Sequence, residues 1–195
     1  YGLKSNPCAK TTRMGSSKGG EMLFWTREEY LRFADAVSDK PESYYAFEVL
    51  YRCGLRLGEL LALTPGDFDF SRSELKVTKS YQRLHGRDVV TPPKTPKSVR
   101  TIVMPKFLTD ELEQWVGSLP IGEDERIFTF TKAKLHHELD RSCKISHVKR
   151  IRIHDLRHSH VSLLIEMGFS AVAIAERLGH ESSDVTFRYA HLFPD

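Results

Sequence analysis

Cysteine is scarce in this chain: Cys8, Cys53 and Cys143 stand far apart and are odd in number. No disulfide framework and no CxxC metal pair follows, so a reducing, cytoplasmic compartment is the natural expectation. No apolar run approaches the roughly 18 to 20 residues that a membrane span needs, and no signal peptide is visible, so no membrane partner is expected. Internal repeats are absent. HExxH is absent too, and although His154 and His158 are four apart with His136-His137 nearby, no acidic or cysteine partner has ligand spacing. A metal site is therefore not expected. Charge of one sign is lacking as well: 29 Lys and Arg stand against 26 Asp and Glu, a formal net charge of +3. An anionic partner would have to be met by a local concentration of cations, not by the whole surface.

What the chain does have is an ordinary core-forming composition, 195 residues with 40% hydrophobic, 10% aromatic and 28% charged. That is enough for one well-filled domain. Residues 1–21 are polar, with Asn6-Pro7 and the run Gly15-Ser16-Ser17-Lys18-Gly19-Gly20, and read as an interdomain linker ahead of a single domain at 22–195. The chain opens on Tyr1, as a piece of a longer protein would. Gly15 to Gly19 also match GxSxG, but the hydrophobic strand and the helix that must flank a nucleophile elbow are missing.

Thr26 and Glu29 form a capping box that predicts a helix through Phe33 and Val37. A second helix, about 43 to 52, carries Tyr44, Phe47, Leu50 and Tyr51 at helical spacing and is broken by Gly54. A third, about 57 to 63, ends before Pro65. The period then changes. Leu75 and Val77, Val89-Val90, and Val99 to Met104 predict three short strands, with turns at Gly86 and Pro92-Pro93. Helices return at about 109–116, 133–141, 153–167 and 171–178, with a last turn around 184–189. The expected fold is α+β, mainly α, with a small three-stranded antiparallel sheet.

The local concentration of cations lies between Arg141 and Arg157: Arg141, Lys144, Lys149, Arg150, Arg152 and Arg157 against one acid, Asp155. A solvated basic face is the bland reading; a phosphate backbone is the functional one. Inside the run is His154-Asp155-Leu156-Arg157. Positions three apart share a helix face, so imidazole and guanidinium can address one group, with Leu156, Leu163, Leu164 and Met167 on the apolar side. A guanidinium fork grips non-bridging phosphate oxygens, and a histidine moves protons near neutral pH. Upstream, Arg56 stands in Gly54-Leu55-Arg56-Leu57-Gly58-Glu59, with Glu59 spaced to orient it. Downstream, Gly179 caps a helix before His180, and Tyr189 follows nine residues later. Ser159 fails as a nucleophile served by His158 or His160, because adjacent helical residues point apart.

In order and spacing these pieces resemble the tyrosine recombinase (phage integrase) family. The matching segments are Gly54-Leu55-Arg56-Leu57-Gly58-Glu59, Pro93-Lys94-Thr95, His154-Asp155-Leu156-Arg157-His158, Leu178-Gly179-His180 and Tyr189-Ala190-His191-Leu192. The resemblance runs from about Phe24 to the end, takes in Asn6-Pro7, and is nearest to integrases of temperate phages and conjugative transposons. It implies the catalytic fold of that family and site-specific breakage and rejoining of DNA through a covalent 3′-phosphotyrosine, for integration and excision of a mobile element. By the same resemblance Arg56 and Arg157 clamp the scissile phosphate, His154 assists proton transfer at the nucleophile Tyr189, and His180 donates a hydrogen bond to the phosphate. Lys94 protonates the departing 5′ oxygen, a role for which Lys97 and Arg100 are also close enough in sequence. Glu59 supports Arg56. Arg141, Lys144, Lys149, Arg150 and Arg152 are expected on double-stranded DNA, and family members self-assemble there, which implies a tetrameric synapse.

The chemistry stands without the family. A tyrosine with pKa near 10 needs proton removal or strong local positive charge to attack at neutral pH. A pentavalent phosphate gains negative charge that two arginines and a histidine donor can meet. The phosphotyrosine conserves the bond energy, so rejoining needs no ATP and no cofactor is expected. Two rivals remain at this stage: a type IB topoisomerase, with the same chemistry but no partner exchange, and a noncatalytic DNA-binding module, which would have no use for a particular tyrosine.

Overall fold

A computed structural model describes residues 23–93, 95–179 and 189. The first helix, α1 (Arg27–Val37), opens on the expected capping box: the Thr26 hydroxyl accepts from the Glu29 backbone, and the Glu29 carboxylate accepts from the Thr26 backbone. Tyr30, Phe33 and Val37 are buried at i, i+3 and i+7, against the buried face of α2 (Pro41–Cys53). Tyr30 stacks on Tyr51 at 3.5 Å between ring centroids. Its hydroxyl donates to the buried Glu48, which also accepts from Arg52, so the acid is not left unpaired in the core. Pro41 starts α2, where its missing N–H is not needed, and Gly54 ends it in the left-handed conformation.

After the single turn α3 (Leu57–Leu60) come five short strands. Three form an antiparallel sheet in the order β1 (Phe68–Asp69), β2 (Glu74–Val77), β5 (Arg100–Val103), with Leu75 opposite Ile102. The other two, β3 (Ser80–Leu84) and β4 (Arg87–Thr91), pair with each other and, among the described residues, with no other strand. The expected small three-stranded sheet is present, but Val89-Val90 is not in it. The physical reason is the turn. His85 and Gly86 both take positive φ, the two-residue geometry that folds a strand back on its immediate predecessor. That pairs residues 87–91 with 80–84 and leaves β2 to meet β5 directly.

The remaining helices are α4 (Lys106–Gly117), α5 (Lys132–Ser146), α6 (Asp155–Glu166) and α7 (Ala171–Leu178). α5 lies against α1, and α6 against α2. One contiguous core runs from Trp25 to Leu163, and a smaller cluster of Val161, Leu164, Ile165, Ile174, Leu178 and Tyr189 joins α6 to α7. Leu156, Leu163 and Leu164 are buried as expected, but Met167 is 63% exposed beyond the end of α6. Among the described residues no helix is long and apolar enough to cross a membrane. The linker expected at 1–21 and the last turn expected before Tyr189 lie outside the described residues.

Candidate active site

Arg157 is the centre of the site. It projects from the first turn of α6, is 4% exposed, and donates to the carbonyls of Gly54 and Leu178, both at 2.6 Å. One side chain thus ties the end of α2 to the end of α7. Gly54 is required there twice over: its φ is +64°, and a Cβ would come within 2.4 Å of the His160 ring. Burial, with repulsion from Arg56 and Arg100, pushes the Arg157 guanidinium down to about 9, still cationic at neutral pH. A bound anion would relieve that repulsion.

Arg56 caps α3 from outside. Its Nη1 donates to Glu59 Oε1 at 2.8 Å, while Glu59 Oε2 accepts from the Arg56 backbone at 2.9 Å. The Arg56 side chain is 41% exposed and Glu59 is buried, so the guanidinium is presented to solvent from an anchored carboxylate. Glu59 is held from behind by Arg100, whose two terminal nitrogens reach its two oxygens at 3.1 and 2.9 Å. Burial pushes the Glu59 carboxyl up, but hydrogen bonds and charge from Arg100, together with Arg56, outweigh it and keep the group below its usual range. Arg100 also donates to the carbonyls of Arg177 and Ser98. Its side chain, 6% exposed, therefore links α3, the turn before β5 and the end of α7. Arg100 points inward, toward Glu59.

His154 stands at the N-cap position of α6 and is exposed; partial desolvation of its ring and the nearby Arg157 hold its pKa below the ordinary value. One turn on, His158 meets it edge-to-face at 5.3 Å between centroids. His158 Nδ1 is hydrogen-bonded to the Tyr189 hydroxyl. Asp155 is buried between the two histidines in sequence, and its carboxylate accepts from the Arg152 backbone and guanidinium.

Arg56, Glu59, His154, Arg157 and Tyr189 thus gather where the start of α6 faces α3 and the end of α7. Lys94 and His180 lie outside the described residues. Gly179, left-handed at φ +64°, packs closely on the turn before β5: a Cβ there would fall 2.6 Å from the Lys97 carbonyl. The basic run is less free than a count of cations suggests. Arg141 pairs with Asp39 and Glu138, Lys149 with Glu29, Arg150 with Asp140 and Arg152 with Asp155, whereas Lys144 stands exposed on α5. Ser159 is a buried strut: it accepts from the Trp25 backbone and donates to the Asp155 carbonyl. No group of three or more His, Cys, Asp or Glu among the described residues is arranged to hold a metal ion.

Two contributors escaped the sequence reading. His158 was visible as the residue after Arg157, but its value depends on a tyrosine 31 positions away. Arg177 donates to His160 Nε2 and to the Arg52 carbonyl. Nothing in the sequence marks that tie between α7 and α2.

Comparison with known proteins places this geometry among relatives. The phage integrase family matches residues 24–195. The chain is 37% identical over 212 residues to the ICEBs1 integrase of Bacillus subtilis strain 168, covering 99% of this chain and 56% of that protein. It is 30% identical over 172 residues to the integrase of Staphylococcus phage L54a, covering 75% of this chain and 47% of that one. The chain therefore spans about half the length of the curated relatives it matches. Among solved structures, the Tn1549 transposon integrase (aa 82–397), in complex with circular intermediate DNA, superposes with a TM-score of 0.73 at 20% identity. That match covers 91% of this chain and 64% of the other. XerA recombinase gives 0.70 at 22%, covering 92% and 62%. Both show a shared fold.

Proposed function

The chain belongs to the phage integrase family, and on that premise we propose that it carries the catalytic domain, residues 22–195, of a site-specific DNA recombinase. In this reading it cleaves and rejoins DNA through a covalent 3′-phosphotyrosine, for integration and excision of a mobile element. The observation that carries it is the placement of the Tyr189 hydroxyl at the start of α6 beside His158, one turn from His154 and next to the buried Arg157. Arg56 and Arg157 grip the non-bridging oxygens of the scissile phosphate, and the charge that develops there falls on groups already fixed by Glu59 and by backbone carbonyls. Loss of one such preorganised donor lowers the rate on the order of 10²–10³-fold. His180 adds a hydrogen bond to the phosphate, and Lys94 protonates the departing 5′ oxygen. No cofactor is needed, because the phosphotyrosine keeps a phosphodiester bond for rejoining.

Double-stranded DNA is the proposed partner, as in the Tn1549 transposon integrase complex with circular intermediate DNA. Arg141, Lys144, Lys149, Arg150 and Arg152 are proposed to lie along it, within a cytoplasmic protein. Self-assembly on DNA, as a tetrameric synapse of the whole protein, is part of the same proposal, and a groove between β5, α4 and α6–α7 offers a surface for it. There Phe107, Met167 and Phe169 are exposed around Leu163 and Leu164. The test is incubation with a duplex nicked near the scissile position, followed by denaturing electrophoresis. A protein–DNA adduct that forms with no nucleotide and in excess chelator is expected. Absence of any adduct, or one that requires added zinc or magnesium, would contradict the proposal.

A further inference from the structure

We infer that His158, not His154, is the catalytic residue that accepts the Tyr189 proton, with Asp155 as the carboxylate behind it. This rests on the functional reading above and assigns one atom within it. His158 Nδ1 holds the Tyr189 hydroxyl, with the two rings tilted by 50° at 5.5 Å between centroids. On the opposite edge of the imidazole, Nε2 stands 3.8 Å from Asp155 Oδ1. A neutral imidazole has one donor and one acceptor nitrogen. The carboxylate favours the proton on Nε2, which leaves Nδ1 free to accept. Asp155 cannot turn away, since it is buried and bonded to the Arg152 backbone at 2.9 Å and to the Arg152 guanidinium at 2.8 Å. Burial, followed by the neighbouring His154, holds the His158 pKa down at about 4, so the ring is neutral and able to accept at pH 7. Arg152 and Arg157 contribute to that lowering, and Asp155 opposes it. His154, one turn earlier, is exposed, and the charges acting on it are Arg157, then Asp155, Arg152 and Arg56; the ring that meets Tyr189 is that of His158.

As Tyr189 Oη attacks phosphorus, its electron pair forms the new P–O bond and its proton passes to His158 Nδ1. The bond from phosphorus to the 5′ oxygen breaks, and that oxygen takes a proton from the acid proposed at Lys94. The imidazolium so formed is stabilised by Asp155. In rejoining, the 5′ hydroxyl attacks phosphorus and gives its proton to the lysine, while Tyr189 departs and recovers its proton from His158.

The experiment measures single-turnover adduct formation on the nicked duplex by the unsubstituted chain, His158→Ala and His158→Asn. The asparagine keeps a hydrogen-bonding group near the Nδ1 position but cannot take up a proton, and it guards against a folding defect in the alanine variant. Each is made with tyrosine or with a fluorinated tyrosine of lower pKa at position 189. His158→Asn is expected to slow adduct formation by about 10²–10⁴-fold, the range for a lost acid–base group, with DNA affinity unchanged. The more acidic tyrosine should recover most of that loss, because it no longer needs a base. An unchanged or faster rate in His158→Asn would reduce the contact to a resting position of the nucleophile. An equal defect with both tyrosines would make His158 structural. Either result overturns the assignment while leaving the recombinase reading intact; no adduct from the unsubstituted chain would instead remove that reading, and this one with it.

Discussion

Glu59 and Arg157 are both buried charges of the site, and each is satisfied from a different direction. Glu59 faces solvent-side Arg56 and inward Arg100, so deleting Arg100 leaves a buried carboxylate with half its partners. Breaking a buried pair by removing one member destabilises by about 3–5 kcal/mol. Arg100→Ala should therefore lower the Tm markedly and slow adduct formation, since Arg56 loses its fixed anchor. Arg100→Lys should recover part of the stability but less of the rate, because a lysine cannot bridge both oxygens and two carbonyls. Equal recovery of both would mean that Arg100 only supports the fold. A second prediction concerns pH. His158 and His160 are depressed by burial from an ordinary 6.5 to about 4 and about 3. The unfolded chain thus binds more protons than the folded one below about 6.5. Their contribution to stability is complete above that value and is lost as pH falls through the folded values. The Tm should be lower at pH 5 than at pH 7, and His160→Asn should make the slope shallower; a flat profile would contradict the burial of neutral rings.

At the scale of elements, the site is a meeting of ends: the end of α2, the single turn α3, the turn before β5, the start of α6 and the end of α7. The segment between β4 and β5 is the one whose chemistry is most open to test. Lys94→Ala should slow cleavage of ordinary DNA far more than of DNA with a 5′-bridging sulfur, a better leaving group that needs little protonation. Lys97→Ala is the comparison, and equal defects on both substrates would take Lys94 out of that role. The helices that frame these ends were legible, because Thr26-Glu29, Gly54 and Gly179 punctuate sequences of clear 3.6-residue period. The strand β3 was not. Only Tyr81 of its five residues is buried, so it shows no alternation, and β1 is two residues long. The place of Arg100 was not legible either, because burial and direction are tertiary facts; a four-residue strand turns its side chain toward Glu59. His158 lay in plain view beside Arg157, yet only the fold shows which of two neighbouring histidines meets Tyr189.

For the molecule as a whole, the net charge is a modest +3, and within the basic run Arg141, Lys149, Arg150 and Arg152 are engaged in ion pairs, which bears on the proposed DNA binding. Affinity should still fall with salt, with a log–log slope of roughly 0.9 per phosphate neutralised. Lys144→Ala, at the exposed position on α5, should reduce that slope by about one unit, uniformly across sequences. A salt-insensitive affinity would contradict a phosphate-backbone partner. The proposed reaction, however, is covalent. The most direct measurement is digestion of the adduct formed on the nicked duplex and mass spectrometry of the peptide that carries DNA. A 3′-phosphate attached to Tyr189 is expected, and none from Tyr189→Phe, which should bind the same DNA normally. Attachment at any other residue, or an adduct of undiminished yield from Tyr189→Phe, would contradict it.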